Sequence, residues 1–209
     1  MAYNADNEML YGVTDENKLL KIDPAMGAAE IVGTLPVQTN TLACDAKGNF
    51  YCNKYGTGEI YSFRLDAVSS GVSENYDFNG DNTVNALDSQ LLLDFVTGTV
   101  KTMKNQDHGD VDSDSDVDTH DVYKLQQMIA YYPRQIGVAE GITSKYLQSM
   151  ECDPNNGLLY WASYFTDQMA GKEMGFSIYC EIDPASGRIT QYSDYWHPLT
   201  ALVILDAEL

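Results

Sequence analysis

Two stretches of the chain carry oxygen-bearing side chains in one register, and each is twelve residues long: Asp77-Phe78-Asn79-Gly80-Asp81-Asn82-Thr83-Val84-Asn85-Ala86-Leu87-Asp88 and Asp110-Val111-Asp112-Ser113-Asp114-Ser115-Asp116-Val117-Asp118-Thr119-His120-Asp121. Both place Asp or Asn at positions 1, 3, 5, 9 and 12, and their starts lie 33 residues apart (110 − 77). A hard cation such as Ca²⁺ takes about six to eight oxygens, and this spacing wraps one chain around it. Because the match occurs twice, the sequence predicts two Ca²⁺ sites rather than one acidic surface turn.

The two loops differ in charge and at position 6. The first loop has Asn79 and Asn85 among its ligands, so the second is expected to attract the cation more strongly. Position 6 is usually Gly but is Asn82 or Ser115 here, and Ser tolerates the left-handed backbone less well than Asn. With position 7 contributing its carbonyl and position 9 often a bound water, the predicted metal residues are Asp77, Asn79, Asp81, Thr83, Asn85, Asp88, Asp110, Asp112, Asp114, Asp116, Asp118 and Asp121.

A predicted helix follows each loop, with apolar residues at helical spacing over 89–96 and 122–129. Neither loop has an obvious helix before it, and position 12 is Asp rather than the Glu of a complete helix-loop-helix hand. This duplicated loop-helix unit resembles the type I dockerin over residues 73–133. The resemblance implies two Ca²⁺ ions and, as partner, the cohesin domain of a scaffoldin or surface protein.

The resemblance also implies a partner surface. In type I dockerins, loop positions 10 and 11 and the helix residues beyond them face the cohesin. The two copies differ at these places, which predicts a single binding orientation, with the apolar first copy as the contact. Carried over by register, the partner-binding residues are Ala86, Leu87, Leu93, Asp94, Thr119, His120, Gln126 and Gln127.

The remainder of the chain repeats a pattern of short alternating strands. Lys18–Gly27 and Ser177–Gly187 both end in Ile-Asp-Pro-Ala-x-Gly, where x is any residue, and Glu59–Val68 is a third copy without the Pro. A strand-turn-strand element precedes each copy. Roughly four strands in each unit of about 40–50 residues are typical of a β-propeller blade. The predicted fold class is mainly β, with antiparallel four-stranded propeller-like blades and an inserted small α dockerin-like module; an irregular antiparallel sandwich is the alternative.

The position of the insertion sets the predicted domains. The second repeat departs from the pattern near Asp66, where the other two repeats make their Asp-Pro turn. The repeat pattern resumes near Ile142. The propeller-like repeats are therefore predicted over 1–68 and 142–209 and the dockerin-like insertion over 73–133, with replacement of 69–141 by a short turn leaving a soluble β product. Three blades are found and 200–206 resembles the first strand of a fourth. Since closed propellers need at least four blades, the sequence indicates either a fragment of a longer propeller or blades that close in another way.

Composition limits the partners. Lys+Arg of 12 against Asp+Glu of 31 gives a net charge of −19, which disfavours nucleic acid and anionic membranes. No apolar run is long enough to span a membrane, and no signal peptide is visible. Since dockerins work outside the cell, the chain is interpreted as part of an extracellular or cell-surface protein. The cysteines show no zinc spacing, and disulfides and buried free thiols both remain open.

No catalytic constellation is apparent: the three histidines are isolated, and nucleophile-elbow, phosphate-loop and HExxH motifs are missing. A non-enzymatic assembly module is the first hypothesis. The alternative is a carbohydrate-binding or carbohydrate-active propeller in which the calcium unit is only structural and a polysaccharide is the partner. Its candidate sugar-stacking residues are Tyr160, Trp161, Tyr164 and Phe165, although alternating strand aromatics more often fill the space between blades.

Overall fold

The computed structural model describes residues 1–65, 68, 74–131, 133–142, 144–145, 148–169 and 171–195. The chain forms two compact units, Met1–Leu65 with Pro133–Leu209 as the first and Asp66–Tyr132 as the second. The predicted start of a fourth blade at 200–206 lies outside the described residues.

The first unit contains three four-stranded antiparallel sheets, each in simple up-and-down order. The first sheet is β1 (Ala2–Asn4), β2 (Met9–Val13), β3 (Lys18–Ile22) and β4 (Ala29–Thr34). The second is β5 (Ala43–Cys44), β6 (Asn49–Asn53), β7 (Glu59–Arg64) and β8 (Arg134–Val138). The third is β9 (Ser149–Cys152), β10 (Leu159–Met169), β11 (Lys172–Asp183) and β12 (Arg188–Tyr195).

The predicted Asp-Pro turns connect the third and fourth strands of two sheets. In the first sheet Gly27 donates its N–H to the carbonyl of Asp23 at 2.8 Å, and in the third Gly187 donates to Asp183 at the same distance. Both glycines have a positive φ, 68° and 73°, a conformation that residues with a Cβ adopt only at a cost. The Asp-x-x-x-Gly pattern is therefore a backbone requirement of this connection.

The second sheet makes the same connection through the second unit. β7 pairs with β8 from Glu59 opposite Val138 to Ser62 opposite Arg134, and residues 66–132 lie between these strands in sequence. The repeat pattern predicted a return to the sheets near Ile142, whereas the returning strand begins at Arg134. The alternation of apolar and polar residues in β8 is hard to recognise in the sequence, because the strand is short and follows directly after a helix.

Neighbouring sheets contact one another through their first strands, β1 with β5 and β5 with β9. This arrangement agrees with propeller-like blades in showing three four-stranded antiparallel sheets, but the described residues do not form a closed propeller. The apolar core between the second and third sheets includes Tyr51, Ile60, Leu159, Trp161 and Ile182.

All four cysteines are free thiols, which decides between the two alternatives left open by the sequence. Burial raises the pKa of Cys52 and of Cys180 to about 12, so both thiols stay protonated at neutral pH. Inert buried thiols of this kind pack as small apolar side chains.

The second unit consists of two loops, each followed by a helix. The helices are α1 (Ala86–Val96) and α2 (Thr119–Tyr131), and short 3-10 turns at Glu74–Tyr76 and Gln106–His108 precede the loops. The helices pack on a core to which both copies contribute equivalent residues: Phe78 and Val111 from loop position 2, and Leu92 and Leu125 from the helices. The duplication seen in sequence is therefore also a duplication of packing. Among the described residues, no helix is long and apolar enough to cross a membrane.

Candidate metal centre

The carboxylate at position 12 closes each loop from inside. Asp88 Oδ1 accepts the backbone N–H groups of Phe78 (2.8 Å) and Asn79 (3.0 Å). Asp121 Oδ1 accepts those of the corresponding second-loop residues at 2.6 and 3.1 Å. Asp88 and Asp121 are 0% and 1% exposed. Burying a carboxylate is costly without such donors, so the short Asp side chain fits where Glu stands in a complete hand.

The carboxylate at position 1 holds the opposite side of each loop. Asp77 accepts the N–H of Asp81 through Oδ1 (3.1 Å) and that of Asn82 through Oδ2 (3.2 Å). Asp110 makes the same two bonds in the second loop, to positions 5 and 6, at 3.1 and 3.0 Å. The two loops thus share one hydrogen-bond skeleton at positions 1, 5, 6 and 12, although their sequences differ at several ligand positions.

Positions 9 and 12 also start the helices. Asn85 is the N-cap of α1: its side chain accepts the N–H of Leu87, and its own N–H donates to Asp88 Oδ2 at 2.9 Å, which completes a capping box. In the second copy the Asp118 N–H donates to Asp121 Oδ2 at 2.7 Å. A cap of this kind contributes about 1 kcal/mol to helix stability. Loop and helix are therefore coupled through the same side chains.

The second loop concentrates negative charge. Carboxylate oxygens of Asp110, Asp112 and Asp114 lie within 4.8 Å of one another, as do those of Asp116, Asp118 and Asp121. Partial loss of hydration, together with the charge of Asp114, raises the pKa of Asp112, and the charge of Asp114 raises the pKa of Asp116. These carboxylates repel one another, and a bound divalent cation relieves that repulsion.

Positions 4 and 6 adopt the left-handed conformation in both loops. In the first loop these are Gly80 (φ 81°) and Asn82 (φ 66°), and in the second they are Ser113 (φ 66°) and Ser115 (φ 84°). Gly and Asn enter this region readily, whereas Ser does so at a cost. The expected strain at Ser115 is confirmed, and Ser113 adds a second strained position that the sequence analysis did not identify.

A lysine lies against the first loop. Lys104 donates its N–H to the carbonyl of Phe78 at 3.1 Å, and its Nζ lies 2.6 Å from Asp77 Oδ2. Its hydrogen bond lowers the pKa of Asp77. Nothing in the loop pattern signals this contact, because Lys104 is distant in sequence and reaches the loop only when the chain between the two copies folds back.

The residues present fit a calcium ion by their chemistry, since each loop offers hard oxygen donors around one turn of chain. Asp77, Asn79, Asp81 and Asp88 could hold the ion in the first loop, and the matching aspartates could hold it in the second. The second loop has six carboxylates at the predicted ligand positions and the first has three, so the two donor sets are chemically unequal.

The residues predicted to meet a partner differ in exposure. Ala86, Leu87, Thr119, His120 and Gln126 are exposed, whereas Leu93, Asp94 and Gln127 are only half-exposed. Leu93 also packs against the helix core, so only part of its side chain is open to a partner.

Tyr123 on α2 is 61% exposed, comparable to Leu87 at 63%. Tyr123 was not among the predicted partner-binding residues, because those were taken only from fixed positions of the dockerin pattern.

His120 Nδ1 lies 3.1 Å from Asp118 Oδ2, and this interaction raises the pKa of His120. The position-11 residues are therefore an apolar side chain in one copy and a polar, acid-paired one in the other.

Comparison with known families gives one match within this unit. Residues 75–130 match the family model of the dockerin type I domain. No curated protein matches the chain. Dockerin domains bind calcium and assemble with a cohesin partner, so the match supports calcium-dependent protein–protein assembly in general and identifies the inserted loop-helix unit as dockerin-like.

The aromatic residues considered for sugar stacking are not a shared open surface. Trp161 is fully buried in the core between the second and third sheets, and its Nε1–H donates to Gln148 Oε1 at 2.7 Å. The side chain of Phe165 lies outside the described residues. Because alternate residues of β10 face opposite sides of the sheet, Tyr160 and Trp161 cannot form one platform. Trp161 fills the space between two sheets, as expected for most strand aromatics, and the alternative sugar-stacking set loses this residue.

Proposed function

We propose that the dockerin-like unit is a calcium-loaded docking module that binds a cohesin and is carried by a repeated β scaffold outside the cell or on its surface. The observation that carries the proposal is the shared hydrogen-bond skeleton of the two loops, in which Asp77 and Asp110 at position 1 and Asp88 and Asp121 at position 12 make equivalent bonds. Together with the family match over 75–130, it favours assembly over catalysis.

Calcium has a structural role in this proposal. When bound, it neutralises the carboxylates that converge on each loop, and two ions per chain are expected, one in each loop. Because Asp88 and Asp121 also cap the helices, ion binding and helix formation stabilise each other. The helices then present the residues around loop positions 10 and 11 in a fixed orientation.

One binding orientation is proposed, through the first copy. Leu87 offers an exposed apolar side chain at position 11, whereas the second copy offers His120, whose ring is paired with Asp118. A cohesin surface that buries Leu87 would leave a polar group unmatched at His120 in the half-turn orientation, at a cost of about 1–3 kcal/mol.

The test is capture by a panel of cohesins in Ca²⁺ and in chelator. Leu87→Asp should weaken binding at least roughly tenfold, since it places a charge in the apolar contact, and His120→Asp should have little effect. Gln106→Asp, an exposed position in the segment between the copies, is the matched control for added charge. Equal tolerance of both position-11 variants would contradict a single orientation, and failure of every cohesin would contradict the docking function.

The placement between β7 and β8 suggests a module held at both ends. Replacing residues 66–132 with a five-residue turn of the Asp-Pro-Ala-Ser-Gly type should join Leu65 to Pro133, because β3–β4 and β11–β12 are already connected in that way. The product should be soluble, β-rich and unable to bind cohesin. Aggregation of this variant under conditions where the parent chain is soluble would show that the sheets need the insertion.

A further inference from the structure

The chain contains two Asn-Gly pairs, and both lie in exposed turns. Asn79-Gly80 occupies positions 3 and 4 of the first loop, and Asn156-Gly157 lies in the turn between β9 and β10. Asn is a thermolabile residue, and a following Gly increases its reactivity, because without a Cβ the glycine nitrogen can approach the side-chain amide closely. The two pairs therefore share the same intrinsic chemistry and differ in the structure that holds them.

The reaction open to an Asn-Gly pair needs only water. The Gly nitrogen attacks Cγ of the Asn side chain, a new N–Cγ bond forms, and the proton of that nitrogen leaves with the amide group as ammonia. Water then opens the resulting succinimide ring at one of its two carbonyl carbons. The product is Asp when the new N–Cγ bond breaks, and isoAsp, with one extra methylene in the main chain, when the original peptide bond breaks.

In the sheet turn, both reacting groups are fixed by the β9–β10 hairpin. Gly157 donates its N–H to the carbonyl of Asp153 at 2.8 Å, and Asn156 Oδ1 accepts the N–H of Leu158 at 2.8 Å. The next residue, Leu159, pairs with β9 and is fully buried. Opening this turn would disrupt strand pairing, so the pair is held whether or not calcium is bound.

In the first loop, the same groups are held by carboxylates. Gly80 donates its N–H to Asp77 Oδ1 at 2.9 Å. The Asn79 side chain is fixed on Asp81, whose N–H donates to Asn79 Oδ1 at 2.8 Å and whose Oδ2 accepts from Asn79 Nδ2 at 3.0 Å. Asp77 and Asp81 are both predicted calcium ligands, and their like charges oppose the folded loop when no divalent cation is bound. The pair is therefore held only as firmly as the calcium loop is folded.

We propose that Asn79 is a self-modification site that calcium protects: Gly80 N attacks Asn79 Cγ in the calcium-free loop, and this attack is suppressed in the loaded loop. Asn79, Asp77 and Asp81 would all be held in place as ligands when the ion is bound. Calcium protection rests on the proposed calcium loading of the first loop and is independent of cohesin binding.

The two products change the first loop in opposite directions. Asp at position 3 is the residue that the second loop already has, Asp112, and it raises the number of carboxylates at ligand positions from three to four. Asn79→Asp should therefore bind calcium at the first site roughly tenfold more tightly, since one more unit charge lies beside the ion. IsoAsp instead lengthens the main chain within a fixed ligand spacing, so it should abolish binding at that site.

Ageing the whole chain at matched ionic strength, with each deamidation located by tandem mass spectrometry, tests the proposal against Asn156 as internal control. In urea both pairs are unfolded and should react at similar rates, which gives their intrinsic reactivity. In native buffer with chelator, Asn79 should react at least roughly tenfold faster than Asn156, because its turn opens more readily. Ca²⁺ at about ten times its Kd should slow the reaction at Asn79 by roughly tenfold, the factor by which such a ligand favours the folded loop, and leave Asn156 unchanged.

Isothermal calorimetry on the same samples separates calcium protection from the proposed function. If the first loop binds calcium but Asn79 reacts equally fast with and without it, or no faster than Asn156 in chelator, calcium protection is overturned and the structural role of calcium stands. If the first loop binds no calcium, both are overturned. An Asn79→Asp chain that binds calcium no more tightly than wild type would contradict the effect assigned to the Asp product.

Discussion

The first loop, residues 77–88, and the second, residues 110–121, share a hydrogen-bond skeleton but stabilise it by different means. The first has three carboxylates at ligand positions, Gly80 at a left-handed position and a nearby ammonium group from Lys104. The second has six carboxylates and serines at both left-handed positions. Lys104 therefore offsets part of the negative charge of the first loop, whereas the second loop is expected to depend more on an added cation.

Removing calcium should separate the two loops most clearly. With chelator, α2 and the second loop are expected to lose protection from hydrogen exchange by roughly a hundredfold, the effect of losing a ligand present at about 100 times its Kd, or about 2.7 kcal/mol. The first loop should lose less, because Lys104 remains beside Asp77, and the β-sheets should be unaffected. Hydrogen exchange measured by mass spectrometry tests this expectation. An equal loss of protection in both loops would contradict the idea that the second loop depends more on calcium than the first.

Neutralising one closing carboxylate should affect the first loop more. Asp88→Asn leaves two carboxylates opposite one lysine, whereas Asp121→Asn leaves five. Calcium affinity at the first loop is therefore expected to fall by roughly tenfold or more, since one unit charge near an ion is worth a few kcal/mol at most in a protein surface environment. Isothermal calorimetry should show the first site lost or strongly weakened in Asp88→Asn and both sites retained in Asp121→Asn.

The loop pattern was readable from sequence because calcium ligation is local. Spacing within twelve residues predicted the helices after the loops and the unusual conformation at Ser115, and the family match over 75–130 supports the dockerin assignment. The individual ligand positions stay a prediction. Lys104 was not predictable, because its contact with Asp77 joins residues far apart in sequence and follows no repeat.

The sheets show the same division between local and long-range information. The Ile-Asp-Pro turns and the four-strand repeat follow from short patterns. The strand at Arg134–Val138 was missed because its partner, Glu59–Arg64, lies on the other side of the insertion, and only the pairing between them identifies it. For Trp161 the sequence favoured a core role but left sugar stacking open, because strand alternation does not say which side of β10 is covered by another sheet.

Lys104 can be tested directly. Lys104→Met keeps the apolar stem and removes the charge, so the first loop should bind calcium more tightly, by roughly fivefold if the half-exposed ion pair is worth about 1 kcal/mol. The exposed Lys101→Met in the same segment is the control for net charge. If both variants change the affinity of the first site equally, the effect is long-range charge and not the contact with Asp77.

The smallest expected effect concerns backbone strain in the second loop. Ser115 has φ 84°, and the left-handed conformation costs a non-Gly residue about 1–2 kcal/mol. Ser115→Gly removes that cost, but Gly raises the entropy of the unfolded chain by about 0.5–1 kcal/mol, so a net gain of about 0.5–1 kcal/mol is expected in the calcium-loaded unit. The reciprocal change, Gly80→Ser, should destabilise the first loop, because Gly80 also has a positive φ and an added Cβ would lie 3.2 Å from Lys104 Cδ. Thermal unfolding in saturating Ca²⁺ measures both. Opposite signs for the two variants would establish that the loops differ in strain as well as charge, whereas a destabilised Ser115→Gly would mean that the serine makes a contribution in the loaded loop that outweighs its backbone cost.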